Sequence, residues 1–165
     1  MIKPLFQRVL VAYNGSKSSL HAFMYGVMMA KSFKCKLKVV YVVDTDTIKK
    51  LTLTKFLMKE EGLEFKDDLQ RDGDRGLEYV ARLAKAKGVK IETEMRNGAV
   101  WAELVKAADD YKADLLLIGG GEESGTSSML RHGLAGMQDS EIIGSSHCSV
   151  MVVKHPHIEQ FFKIL

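Results

Sequence analysis

Long apolar runs, a concentration of one charge and a close cysteine pair are all missing from this 165-residue chain. No stretch approaches the roughly 20 consecutive apolar residues that a bilayer-spanning helix needs, and the N-terminus lacks the apolar core of a secretory signal. A cytoplasmic protein with no membrane partner is therefore expected. Lys+Arg 24 against Asp+Glu 21 leaves a net charge of only +3, and no segment gathers it into the basic face that nucleic acid requires, so no nucleic-acid partner is expected. The two cysteines, Cys35 and Cys148, each stand beside a strand-like apolar run. That placement suits small core residues better than redox or metal chemistry. Internal repeats and dividing linkers are absent too. What remains, with 46% hydrophobic and 27% charged residues, is one globular domain over residues 1–165 around a single core.

The order of elements follows from the apolar pattern. Arg8 to Tyr13 is a short, β-branched apolar run that stops at the turn formers Asn14-Gly15-Ser16, as a buried strand does. Ser16, Ser18 or Ser19 caps the helix that follows, whose apolar face repeats at Leu20, Phe23, Met24, Val27 and Met28. Residues 37 to 43 form a second strand that ends at Asp44-Thr-Asp-Thr. Strand, helix and strand in this order imply a parallel pair with a right-handed crossover.

Thr47 to Gly88 is rich in Lys and Glu and predicts helix, broken around Asp72-Gly73-Asp74, with Leu69, Leu77, Val80 and Ala84 on its packing face. The pairs Glu60-Glu61 and Asp67-Asp68 read as solvated surface. Val89 to Met95 alternates polar and apolar residues, as at a sheet edge. Asn97-Gly98 opens another helix, with Val100, Leu104 and Ala107 on one side. Leu115 to Ile118 is a fully buried strand, a Gly- and Ser-rich segment runs from Gly119 to Gly136, a short helix covers about Met137 to Ile143, and the last strand is Ser149 to Val153. These elements predict an α/β fold, a single doubly wound open sheet of five parallel strands with helices on both faces. In such sheets ligands bind beyond the carboxyl ends of the strands, where strand order reverses. The loops of interest are thus 14–19, 44–47, 96–98 and 119–136.

At four places, in order, the chain resembles the universal stress protein family. Val9-Leu-Val-Ala-Tyr-Asn-Gly-Ser is similar to its strand and D-G-S turn, and Tyr41-Val-Val-Asp44 to its H-V-V-D. Gly98 followed by Leu104, Ala108, Ala113-Asp114 and Leu115-Leu-Leu-Ile-Gly119 matches its G-x5-I-x3-A-x4-AD-hydrophobic-G passage in spacing. Cys148-Ser-Val-Met-Val-Val-Lys154 resembles its C-P-V-L-V-V-R ending. The resemblance spans Arg8 to Lys154 and implies a Rossmann-like fold of the adenine nucleotide alpha-hydrolase type. It also implies a homodimer through the strand Ser149 to Val153. The candidate residues for the nucleotide site it implies are Ala12, Asn14, Val42, Gly119, Gly120, Gly121 and Gly136, with Arg131 of the stretch between Gly119 and Gly136 as an added cation.

The family's nucleotide binders carry G-x-x-G-x9-G-[ST] after the fourth strand, where backbone N–H groups cradle phosphates. Here Glu122 stands at the second glycine, Met137 at the hydroxyl position, and the segment from Gly119 to Gly136 is four residues longer than the motif. Glu122 and Glu123 put negative charge where phosphates would sit. Asn14 replaces the first-loop aspartate, and an amide holds Mg²⁺ less well than a carboxylate. Against this, Gly119-Gly-Gly121 permits close backbone approach, and Arg131 and His132 lie in the inserted stretch. Weak binding of ATP or AMP is the most that is expected of any cofactor.

No metal site is expected: His147, His155 and His157 cluster near the last strand, but Pro156 intervenes and no third ligand is evident. Neither S-G-G-x-D-S nor H-x-G-H, the signatures of related nucleotide-activating enzymes, is met by Asn14 to Ser19, and no His and acid are placed beside its serines. The expected function is a non-enzymatic stress-response dimer with a protein partner that the sequence does not name. The alternative is a nucleotide-dependent switch or slow ATPase of the same family. In the tail, residues 155–165, Ile158, Phe161, Phe162 and Leu165 fall on one helical stripe, which predicts a helix from Pro156 onward that docks on the dimer mate.

Overall fold

A computed structural model of the chain describes residues 2–120 and 135–165, the side chains of 135–138 excepted. In chain order the elements are β1 Arg8–Ala12, α1 Lys17–Phe33, β2 Lys36–Asp44, α2 Thr45–Leu53, α3 Lys59–Ala86, β3 Ile91–Gly98, α4 Val100–Tyr111, β4 Leu115–Gly119, α5 Ala135–Ser145, β5 Ser149–Val153 and α6 Ile158–Lys163. The five strands pair in parallel in the order β3-β2-β1-β4-β5. Strand order reverses between β1 and β4, so the switch point of this doubly wound sheet lies there.

Two cores follow from strand alternation. Val9, Val11, Leu37, Val39, Leu115 and Leu117 point to one face, where α1 and α3 cover them with Phe23, Val27, Leu77 and Val80. Leu10, Val40, Leu116 and Ile118 point to the other, under Leu104, Ala107 and Ala108 of α4 and Ile142 of α5. Asp114 ties the start of β4 to that of β1, its Oδ2 accepting from the backbone N–H groups of Gln7 and Arg8 at 2.7 and 2.8 Å.

The expected helix break at Asp72-Gly73-Asp74 is not there: α3 runs unbroken from Lys59 to Ala86. Gly73 is a packing residue instead. A Cβ at this position would lie 2.7 Å from Met95 Cε and 2.8 Å from Tyr41 Cδ1, so the glycine lets a long helix approach the sheet. The chain turns earlier, between α2 and α3, where Lys55 takes a left-handed conformation at φ 58°. Asp44, expected only to end a strand, also starts α2, its Oδ1 accepting from Thr47 N at 3.0 Å. The third strand runs to Gly98 rather than Met95, paired residue by residue with β2. The next helix therefore begins at Val100, one residue after Ala99. Helix α5 spans Ala135–Ser145, longer than expected at both ends.

The tail also differs from expectation. Its helix spans only Ile158–Lys163 and packs on the chain's own core, with Ile158 and Phe162 buried and the Phe162 ring 6.4 Å from that of Phe23. His21 of α1 meets Glu159 at 2.9 Å beside this contact. Phe161 and Leu165, the other half of the predicted stripe, stay exposed. Six residues do not hold a helix in water, so the two buried side chains stabilise it. Truncation after Lys154 is expected to lower stability by about 3 kcal/mol, the burial of one isoleucine and one phenylalanine less the entropy of ordering the tail. Urea unfolding of the truncated chain beside the full one measures it.

Candidate functional site

The turn from β1 into α1 is built from short polar side chains that satisfy the backbone locally. Asn14 Oδ1 accepts from Ser16 N at 3.0 Å, and Gly15 takes a left-handed conformation at φ 85°. Ser16, rather than Ser18 or Ser19, caps α1, its Oγ accepting from Ser19 N at 3.1 Å. Ser19 Oγ donates to Ser16 O at 3.0 Å and accepts from Asn14 N at 3.2 Å. Ser16 and Ser19 are both buried. The turn is thus closed by its own hydrogen bonds, and the carboxamide oxygen of Asn14, the atom that would face a cation, gives one of its two lone pairs to it.

At the end of β4 two glycines are required by their neighbours. A Cβ on Gly119 would lie 2.4 Å from the carbonyl carbon of Ser18 and 2.7 Å from Ser19 N, so strand end and helix start touch backbone to backbone. A Cβ on Gly120 would lie 2.4 Å from Val152 Cγ1 and 2.7 Å from Lys154 Cγ, and Gly120 N donates to Val153 O at 3.0 Å. Packing alone accounts for both.

Of the residues expected at a nucleotide site, Ala12 and Val42 are half-buried on the α4 face of the sheet, near the carboxyl ends of β1 and β2. Asn14, Gly119 and Gly120 stand at the switch point between β1 and β4. Gly136 lies in the first turn of α5. Gly121 and Arg131 lie outside the described residues, as do Glu122, Glu123 and His132. Elsewhere, His147 Nδ1 lies 3.0 Å from Asp109 Oδ1, and the His155 ring stands edge-on to Phe161 at 5.2 Å. Among the described residues no group of three or more His, Cys, Asp or Glu side chains is placed to hold a metal ion. Burial pushes the Cys35 and Cys148 thiols above their ordinary range, which suits inert core residues.

A sequence model described as the universal stress protein family matches residues 5–154. This chain belongs to that family. A universal stress protein of Methanocaldococcus jannaschii is 32% identical over 161 residues, covering 94% of this chain and 86% of that protein. The crystal structure of a universal stress protein in complex with cAMP is 26% identical with a TM-score of 0.61, covering 90% of this chain and 96% of that one. A family member from Arabidopsis thaliana with AMP bound is 18% identical with a TM-score of 0.64, covering 93% and 94%; at that identity it speaks for the fold.

This universal stress protein also carries a charge cluster that the sequence pattern did not single out. On the α4 face of the β2–β3 pair, Glu94 meets Lys38 Nζ and Arg96 Nε, each at 2.6 Å. Arg96 reaches on to Asp110 of α4 at 2.8 Å and Glu103 at 3.6 Å. Lys38 lies over the ring of Tyr111, whose buried hydroxyl has no hydrogen-bond partner among the described residues. Burial raises the Tyr111 phenol to about 12, so it is neutral at physiological pH. The alternation of β3 is legible in the sequence, but its partners sit on β2 and α4, far away along the chain.

Burial alone would raise the Glu94 carboxyl, but the hydrogen bonds and charges of Lys38 and Arg96 outweigh it and hold the group below its ordinary 4.5. A depressed carboxylate contributes stability that is complete above its unfolded value and is lost as pH falls through the folded one. Glu94→Gln is expected to cost about 1–3 kcal/mol at neutral pH, because it leaves two partly buried cations short of a partner. It should also flatten the loss of stability below pH 4.5. Urea midpoints from neutral to acid pH measure both.

Proposed function

We propose that this chain is a non-enzymatic universal stress protein that acts as a homodimer and holds adenine nucleotide weakly or not at all. The observation that carries this reading is the closed turn at Asn14. Where a metal-bound nucleotide would call for a carboxylate, there is an amide whose oxygen already accepts from Ser16 N at 3.0 Å. Gly119 and Gly120 do not tip the balance toward a phosphate cradle, since packing against Ser18 and Val152 requires them in any case. In sequence, Glu122 and Met137 remove a cradle glycine and a hydroxyl from the family motif. Together these losses subtract a metal ligand, a hydroxyl donor and a point of close backbone approach while adding repulsion.

A specific observation favours the second reading, weak binding of an AMP-like or cyclic nucleotide. The stem of Lys154 lies against Gly120, close enough that a Cβ there would meet its Cγ at 2.7 Å, which brings a cation to the carboxyl end of β4. The relative bound to cAMP is 26% identical to this chain.

Millimolar Mg-ATP is expected to leave the melting temperature nearly unchanged. A ligand present at one hundred times its Kd would add about 2.7 kcal/mol and shift the melt visibly. Titration calorimetry showing low-micromolar ATP binding would overturn the first reading. Stabilisation by AMP or cAMP without ATP would select the second.

The dimer rests on β5. Its outer edge has no strand beside it among the described residues, and Val150, Met151 and Val152 are only half-buried. A bare apolar edge invites pairing with its copy about a two-fold axis. Light scattering is expected to give twice the 18.4 kDa mass of one chain. Val153 O accepts from Gly120 N, so by alternation the Val150 N–H faces away from β4, and Val150→Pro, which removes that edge donor, should shift the population toward monomer.

A further inference from the structure

Between α2 and the first turns of α3 an open groove of about 450 Å³ runs along the β3 side of the molecule, ending at Gly98 and Ala99. It stands apart from the switch point between β1 and β4. Its floor is Ile48, Thr52 and Gly62, and the two helices touch at Gly62, where a Cβ would lie 2.9 Å from Thr52 Oγ1. Leu53 and Leu63 rise from opposite sides at 72% and 57% exposure. Phe56 and Met58, exposed at 76% and 66%, carry the apolar surface on across the turn between the helices. Four large apolar side chains are thus exposed within eleven residues of chain, a concentration that marks an interaction surface.

The charges around this patch are sorted. The α3 residues that line the groove are Lys59, Gly62, Leu63 and Lys66, a single i, i+3, i+4, i+7 stripe. Glu60, Glu61 and Glu64 are exposed on the rest of the helix and line none of it. Lys49 adds a third cation from α2. The one acid in the lining, Asp46, is bound to Lys50 at 2.8 Å. Lys49, Lys59 and Lys66 have no ion-pair partner among the described residues. The groove therefore presents an apolar centre between cationic walls.

We propose that this groove docks an amphipathic helix of a partner protein, one with apolar anchors at i, i+3 or i+4 and i+7 and acidic residues flanking them. The fit is electrostatic as well as apolar, and α2, with nine residues, offers about two turns of helix to lie against. A second copy of this chain is the wrong occupant, because pairing the patch on itself would gather Lys49, Lys59 and Lys66 of both copies into one interface whose one lining acid, Asp46, is already bound to Lys50. A lipid surface fits less well, since the groove is concave between two helices and a flat bilayer would not reach its floor at Ile48, Thr52 and Gly62.

The test is a displayed library of random helical peptides, selected against the full chain and measured by fluorescence anisotropy. The binders are expected to carry Asp or Glu around Leu, Ile or Phe at the stated spacings and to weaken at high salt. Leu63→Ser is expected to cost them about tenfold in affinity. The double variant Lys59→Glu, Lys66→Glu should lose them as well and should instead favour the same peptides with their acids changed to lysine. All three substituted side chains line an open groove, so the melting temperature is expected to hold and separates lost binding from lost fold. Failure to select any binder, binders without acidic residues, or binders indifferent to Leu63→Ser would overturn the proposal. So would phosphatidylglycerol vesicles that bind the chain and lose it on Phe56→Ser, or a fall in oligomer mass on that substitution.

Discussion

The end of β4 meets the first turn of α1 with no side chain between them, and the carboxyl edge of the sheet is arranged around that meeting. Gly119 has Ser18 and Ser19 backbone where its Cβ would be. The contact seats the start of α1 beside the central strands, and Ser16 caps the helix at the same point. Gly120 then runs straight onto Val153 and Lys154, so the chain leaving β4 is held against the edge strand before it departs. A larger residue at either position would have to push a helix or a strand away, and the two cores behind them are filled with Val, Leu and Phe that tolerate little movement.

Much of the architecture is legible in the residues because buried parallel strands read as continuous apolar runs bounded by turn formers. Val9 to Val11 and Leu115 to Ile118 leave no other assignment, and the alternation of β3 announces an edge. Gly73 misleads, since propensity treats a mid-helix glycine as a breaker. Its reason is a close approach to Tyr41 and Met95, one of them more than twenty residues away along the chain in each direction. The tail misleads in the other direction. Its apolar stripe is real, but a single short helix buries only two of its members, Ile158 and Phe162.

The candidate site divides in the same way. The turn at Asn14 is readable, because Asn-Gly-Ser before an amphipathic run specifies local hydrogen bonds among near neighbours. The role of Gly119 is not, because Ser18 is about one hundred residues distant in sequence and nothing local marks the contact. The cluster of Lys38, Glu94, Arg96 and Asp110 draws on two strands and a helix, so no single segment carries its signature.

That cluster sits on one of the two outer strands, and the position bears on how copies of the molecule can associate. A parallel sheet with two receptive borders can add neighbours at both, front to back, and such growth has no natural end. Here the β3 border is studded with Glu92, Glu94 and Arg96, the latter two tied down to Lys38 and Asp110, while the β5 border is short and apolar. Charge on an outer strand discourages another strand from zipping onto it. On the proposed pairing through β5, a single receptive border among the described residues would let the sheet join like to like and then stop, a finite pair instead of a fibre.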